Sequence, residues 1–259
     1  MNDELFVFGE GKTEEVVFTC LSRNRALPQQ PHLVSVNGKT NFVSKILDKV
    51  EQNFAPGVPG QTVRILAFRD RDKGEQIDSI CQSFEPIGNS LRGEMLQFTP
   101  EQNFSNVLVS TIQPTQKHPG LRFVLHIADT PADIPEQLNQ FASKTTDAYI
   151  LSIALSSGVL SRFGQKVGIK PEDRIESDII KAKVLSELPQ LFASNGIGFD
   201  TDKDYLAAYL IATRFWKINR TEREVRLVQV ILDRAMKYAT DVFEKTFASW
   251  MFAIEEAGR

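Results

Sequence analysis

Cysteine is nearly missing from this chain: 259 residues hold only Cys20 and Cys81, far apart and in no Cys-x-x-Cys pattern. That excludes a disulfide framework and a cysteine zinc site, and the two read as reduced core thiols of a cytoplasmic protein. Histidine is scarce as well. His32, His118 and His126 are scattered, and His126, inside an apolar run, reads as a hydrogen-bonded core residue rather than a ligand. No apolar run approaches the ~18 residues of a membrane span. The acidic opening Met1-Asn2-Asp3-Glu4 is unlike a signal peptide. Excess positive charge is lacking too. At a formal net charge of −3, a polyanion would be met only by a local basic patch or through a metal ion.

What remains is an ordinary globular composition, 42% hydrophobic and 24% charged, long enough for one large domain or two modest ones. Leu5 to Phe8 is a short apolar run that predicts a buried strand. It ends in Gly9-Glu10-Gly11-Lys12, and Thr13 with Glu14 and Glu15 then opens a helix, with Thr13 as the expected N-cap. His32 to Val36 predicts a second strand, Asn37-Gly38-Lys39 a turn, and Asn41 to about Phe54 an amphipathic helix. Val63 to Phe68 is the third strand and Gln76 to Phe84 the next helix. This β-α-β-α-β-α order argues for an α/β fold with a largely parallel sheet.

Beyond it, Glu94 to Phe98, Asn106 to Ile112 and Leu121 to Ala128 are expected strands, and Pro131 is expected to open a helix. From Ile134 onward the chain reads as helical: Ile134 to Ala142, Asp147 to Phe163, Ile175 to Phe192, Asp204 to Phe215 and Glu222 to Glu256. The last opens on a Thr221-x-x-Glu224 capping box and carries an apolar stripe that includes Phe243, Phe247, Trp250 and Met251. That stripe is expected to cover the chain's own core, a homodimer or partner interface being the alternative. The expected division is an α/β domain over 1–135 and a helical region over 136–259.

The chemistry concentrates where the third strand runs out, at Arg69-Asp70-Arg71-Asp72. Residues two apart on an extended chain share a side, so Asp70 and Asp72 can converge at the carboxyl end of the strand, where open α/β sheets place ligands. Close carboxylates repel unless a proton or cation lies between them, and oxygen-only donors suit Mg2+. A solvated turn is the competing reading. Glu10 sits at the corresponding end of the first strand, and Glu14 lies four residues on. Four such acids are enough for one or two metal ions of the kind that cleave phosphodiesters. Lys12, Arg71 and Lys73, with Arg69, crowd the same turns and are candidates to meet phosphate oxygens, or merely to balance the acids. Asp129, ending another strand, either adds a carboxylate or begins a turn.

Glu10-Gly11-x-x-Glu14 after an apolar strand, Gly38-Lys39 after the second, and Asp70-x-Asp72 after the third resemble the TOPRIM superfamily, most closely the OLD-type and stand-alone TOPRIM nucleases. The resemblance spans about residues 4 to 75. It implies a Rossmann-like sheet and a Mg2+- or Mn2+-dependent site that cleaves DNA or RNA, with a place in antiphage defence. By it, Glu10 is a metal ligand and general base, Asp70 and Asp72 bind metal, and Glu14 is a further ligand. It also implies an assisting basic residue later in the chain, for which Lys181 and Lys183 are candidates. No ATPase is fused here, so any ATPase that controls the activity is a separate partner.

Two Gly-Lys-Thr tripeptides, at Gly11 and Gly38, lack the first glycine of a phosphate-binding loop, since Phe6 and Leu33 stand there. The alternatives are a non-catalytic binding module of the same fold, or a sugar-nucleotide transferase that uses the Asp-x-Asp pair. The transferase reading does not explain Glu10-Gly11.

Overall fold

The computed structural model describes residues 4–23, 27, 30–51, 61–132, 134–139, 144–160, 175–212 and 223–259. The chain divides into two compact units, Met1–Asp129 with Ala248–Arg259, and Thr130–Phe247.

The first unit is an α/β sandwich. Its strands are β1 (Leu5–Gly9), β2 (His32–Ser35), β3 (Thr62–Arg69), β4 (Thr99–Pro100), β5 (Val107–Ile112) and β6 (Gly120–Ile127), in the sheet order β2-β1-β3-β6-β5-β4. β2, β1, β3 and β6 run parallel; β5 is antiparallel to both β6 and β4. Helix α1 (Lys12–Ser22) follows β1, α2 (Phe42–Val50) follows β2, and α3 (Ile77–Arg92) follows β3. Near-continuous apolar runs such as Val63 to Phe68 form these strands because a parallel sheet is buried on both faces. Alternate residues then serve opposite layers. Phe8, Ile65, Ala67, Phe123 and Leu125 meet Phe42, Ile80 and Phe84 of α2 and α3. On the other face Phe68 stacks on Trp250, centroids 4.0 Å apart, and tilts against Phe18 of α1.

Several expectations shift. Helix α1 begins at Lys12 with Gly11, not Thr13, at its N-cap. α3 runs through Pro86 to Arg92, because Ile80, Phe84, Ile87 and Leu91 continue its buried stripe, and left-handed Gly93 ends it. Residues 94–98 are not a strand: the Gln97 N–H is held by the Ser110 hydroxyl, 3.0 Å, instead of a ladder bond. Pro131 opens no helix; the first turn after the sheet is α4 (Glu136–Asn139). Asp133 and residues 140–143 lie outside the described residues.

The second unit holds α4, α5 (Thr146–Ala154), a helical turn at 157–160, α6 (Ile175–Ala182), a π-helical stretch (Lys183–Glu187), α7 (Leu188–Ala193), α8 (Asp202–Ala212), α9 (Arg223–Tyr238) and α10 (Thr240–Thr246). α5 is buried almost all round. Gly158 touches the turn after α9 so closely that a Cβ there would stand 2.3 Å from the Tyr238 carbonyl oxygen.

The single final helix expected over 222–256 is three helices. Ala239 (φ −145°, ψ 46°) separates α9 from α10, and Phe247 (φ −98°, ψ 14°) separates α10 from α11 (Ala248–Gly258). A straight rod of that length would extend about 50 Å. The breaks instead let α11 leave the helical unit and cover β3 and β6, so the boundary at 135/136 does not hold for the last twelve residues. There Trp250, Ala253, Ile254 and Ala257 are buried, and the Arg122 guanidinium donates to the Glu256 carboxylate, 2.6 Å. The capping box at Thr221 falls outside the described residues.

Candidate functional site at the carboxyl edge of the sheet

β1 and β3 are hydrogen-bonded neighbours, with Gly9 opposite Phe68, so both chains leave the sheet at the same edge. Glu10 and Asp70 therefore meet. Glu10 Oε1 accepts the Asp70 backbone N–H at 3.2 Å and the Arg69 guanidinium Nη1 at 2.6 Å. Glu14 is held at the same strand end by backbone geometry. A Cβ on Gly9 would lie 2.5 Å from Glu14 Cβ, so only glycine lets the helix start this close. Its carboxylate turns back to accept the Gly11 N–H at 2.7 Å, one of the orphan donors of a helix N-terminus.

Arg69 is the inward side chain that ties the edge together. It is 6% exposed and also donates through Nη2 to both oxygens of Glu75, 3.0 and 3.1 Å. Glu75 is delivered by a tight turn: its N–H donates to the Asp72 carbonyl at 3.1 Å, and Gly74 takes the left-handed φ of 84° that the turn requires. The Glu75 carboxylate in return accepts the Asp72 N–H at 2.8 Å. Lys39 closes the group from the other side. Asn37 (φ 54°) and Gly38 (φ 110°) form a left-handed turn whose Gly38 N–H donates to the Glu10 carbonyl, 3.2 Å. This turn carries the Lys39 ammonium onto Asp72, and to within 3.3 Å of Glu75.

The other predicted residues separate. Arg71 reaches across to Asp129 at the end of β6, 2.9 Å. Lys12 pairs with Glu15 on the exposed face of α1, 2.8 Å, and Lys73 is exposed in the turn. Lys181 and Lys183 belong to the second unit, where Lys183 pairs with Glu187 at 3.5 Å. His126 is fully buried between Asn106 and Ser249, its Nε2 3.0 Å from the Ser249 hydroxyl, as a core histidine should be. Glu75 is the residue that the sequence reading passed over. Its signal was present: an acid three residues after Asp72, with a glycine between to close the turn. Lys39 and Arg69 were visible in motifs but could not be assigned partners 33 and 59 residues away.

Electrostatically the edge is acidic. Glu10, Glu14, Asp70, Asp72, Glu75 and Asp129 lie along it, with Arg69, Arg71 and Lys39 among them. Burial holds the Glu10 carboxyl above the usual carboxylate range; Arg69 pulls it down, and the nearby Glu14 charge pushes it up again. The hydrogen bond to Asp72 raises the Lys39 ammonium despite its exposure. As arranged, no three His, Cys, Asp or Glu side chains among the described residues are grouped to hold an ion. The donor chemistry nevertheless fits a hard divalent cation: the acids at the ends of β1 and β3 offer carboxylate oxygens and, apart from the Arg71–Asp129 pair, two side-chain cations now balance them. Of these two, Arg69 is enclosed, whereas Lys39 is 40% exposed on a flexible stem.

No known sequence family matches this chain, and no curated protein matches it. In three dimensions it is similar to the crystal structure of hypothetical protein PH0156 from Pyrococcus horikoshii OT3, at a TM-score of 0.51 and 13% identity over 99% of each chain. That likeness is one of fold.

Proposed function

We propose that this chain is a divalent-metal-dependent phosphodiesterase that cleaves nucleic acid, of the TOPRIM type its motifs resemble. The reading rests on one observation: Glu10 and Asp70-x-Asp72 stand at the carboxyl ends of adjoining parallel strands, with Glu10 bonded to the Asp70 N–H. Glu10, Asp70 and Asp72 would hold Mg2+ or Mn2+, with Glu14 beside them. Bound there, the ion would polarise a phosphoryl oxygen and activate water. Arg69 fixes the Glu10 carboxylate, whose raised pKa suits proton acceptance nearer neutral pH than an ordinary carboxylate allows. With Asp72 given over to a bound cation, Lys39 would be available, with Arg71 and Lys73, to substrate phosphates. On the resemblance, the setting is cytoplasmic antiphage defence, with which the two buried free thiols agree.

The test is cleavage of plasmid DNA and of RNA with Mg2+, Mn2+ or EDTA. Metal-dependent cutting is expected, lowered at least about a hundredfold by Glu10→Ala and by Asp70→Ala, with far-UV circular dichroism unchanged. Full cleavage by both variants overturns the proposal. A second reading, a non-catalytic binding module, is favoured by the satisfied state of the acids, since Arg69 and Lys39 already hold Glu10, Asp72 and Glu75. It expects neither cutting nor a metal-induced rise in Tm.

A further inference from the structure

Lys39 is carried onto the acidic edge by a braced turn. The Asn41 side-chain amide donates to the carbonyls of Val36 and Asn37, 3.2 and 3.0 Å, and the Asn41 N–H donates to the Gly38 carbonyl, 3.1 Å. The Gly38 N–H is itself bonded to the Glu10 carbonyl, so the backbone bearing the lysine is anchored to the strand end bearing Glu10. Beyond that backbone the stem has room to move: it is 40% exposed and lines an open cavity of about 250 Å³ between α2 and α3. Its ammonium spans two acids, the Asp72 carboxylate and, at 3.3 Å, Glu75. The two acids differ. Among the described residues Asp72 has no other side-chain cation, whereas Glu75 is also held by Arg69, 3.0 and 3.1 Å.

We infer that Lys39 is a resident counter-cation that competes with the divalent ion for Asp72 and so sets the metal affinity of the site; the inference rests on the metal-dependent reading above. One carboxylate cannot keep an ammonium in contact and serve a divalent ion as well, because two cations at that range repel. Arg69 cannot play this part. It is 6% exposed, and its guanidinium is committed to Glu10, Glu75 and the Asp70 carbonyl. A lysine can, since its three donors rotate at the end of a long flexible stem. Glu75 makes the exchange reversible: it keeps the ammonium within reach, so the lysine leaves Asp72 without losing both partners. The Lys39–Asp72 pair is exposed on both sides, which makes the competition modest, since such a pair shifts an equilibrium constant by about fivefold at most.

The experiment uses the full chain and Mn2+ alone, without nucleic acid, and reads free Mn2+ by its electron paramagnetic resonance signal. Lys39→Met keeps the stem and removes the charge. It should tighten Mn2+ binding about fivefold, and Lys39→Gln should do the same. Lys73→Met removes an equal charge from the exposed turn beside Asp72 and should change the affinity less than about twofold. Melting gives an independent readout. Without metal, Lys39→Met should melt below wild type; in saturating Mn2+ its Tm should equal or exceed that of wild type, because Asp72 is then neutralised in either chain. An affinity in both Lys39 variants no tighter than wild type, or equal tightening by Lys73→Met, overturns the competition and leaves the metal site standing. So does a Tm deficit that Mn2+ does not remove. Absence of Mn2+ binding in wild type and in both Lys39 variants overturns the competition and the metal site together. The expected binding pattern with no cleavage of any strand upholds the competition and removes the phosphodiesterase reading alone.

Discussion

Replacing Arg69 with methionine removes the one enclosed cation of the carboxyl edge while keeping the length of its stem. Four hydrogen bonds go with it: 2.6 Å to Glu10, 3.0 and 3.1 Å to the two Glu75 oxygens, and one to the Asp70 carbonyl. Breaking a fully buried pair from one side costs about 3–5 kcal/mol, whereas exposed pairs contribute about 0–1 kcal/mol. Arg69 is 6% exposed, but Glu10 and Glu75 are 22% and 27% exposed, so water partly rehydrates the acids left behind. The expected loss lies between those limits, about 2–3 kcal/mol.

Its pH dependence tests the cause. The folded-state pKa of Glu10 is already raised, so the folded chain holds that proton more tightly and Glu10 lowers stability as pH rises from 4.5 through the folded value. Without Arg69, the strongest influence lowering it, the folded pKa rises further. The penalty of Arg69→Met is therefore smaller near pH ~5, where Glu10 can protonate, than near pH ~8. Urea titration followed by Trp250 fluorescence reads this directly, with Trp216→Phe as the background so that one tryptophan reports. A loss under about 0.5 kcal/mol at both pH values, or a larger loss at the lower one, refutes the argument.

Three further outcomes follow from the same geometry. Burial lowers the His126 pKa from 6.5 to about 3, so the unfolded chain alone takes up this proton between those values. Stability should then fall as pH drops below 6.5, by up to about 1.4 kcal/mol per pH unit from this group, and His126→Asn should flatten that slope in a denaturation series. Gly9→Ala forces a Cβ to 2.5 Å from Glu14 Cβ and should cost about 1–3 kcal/mol by thermal melting; an unchanged Tm contradicts the close approach. In the second unit Asp202 accepts from the Thr145 hydroxyl at one oxygen, while burial pushes its carboxyl up to about 6. It therefore opposes folding increasingly from pH 3.8 to about 6, and Asp202→Asn should remove that part of the pH dependence, worth at most about 3 kcal/mol.

The sequence by itself determined the local elements, because they follow from patterns within a few residues. Apolar runs at Leu5, Val63 and Leu121 had to be buried strands, and the β-α-β order had to yield parallel neighbours. The acids at Glu10 and Asp70 had to follow the strand ends. Tertiary structure decided which of those acids touch and what balances them. Arg69 bridges Glu10 and Glu75, and Lys39 reaches Asp72, only because β1 lies between β2 and β3 in the sheet. Strand order is not encoded within any single strand. The last helix teaches the same point in reverse. Its apolar stripe keeps helical spacing through Ala239 and Phe247, so nothing local marks a break there. Beyond the breaks, Trp250 stacks on Phe68, 182 positions earlier in the chain, a burial of apolar surface that no local pattern encodes.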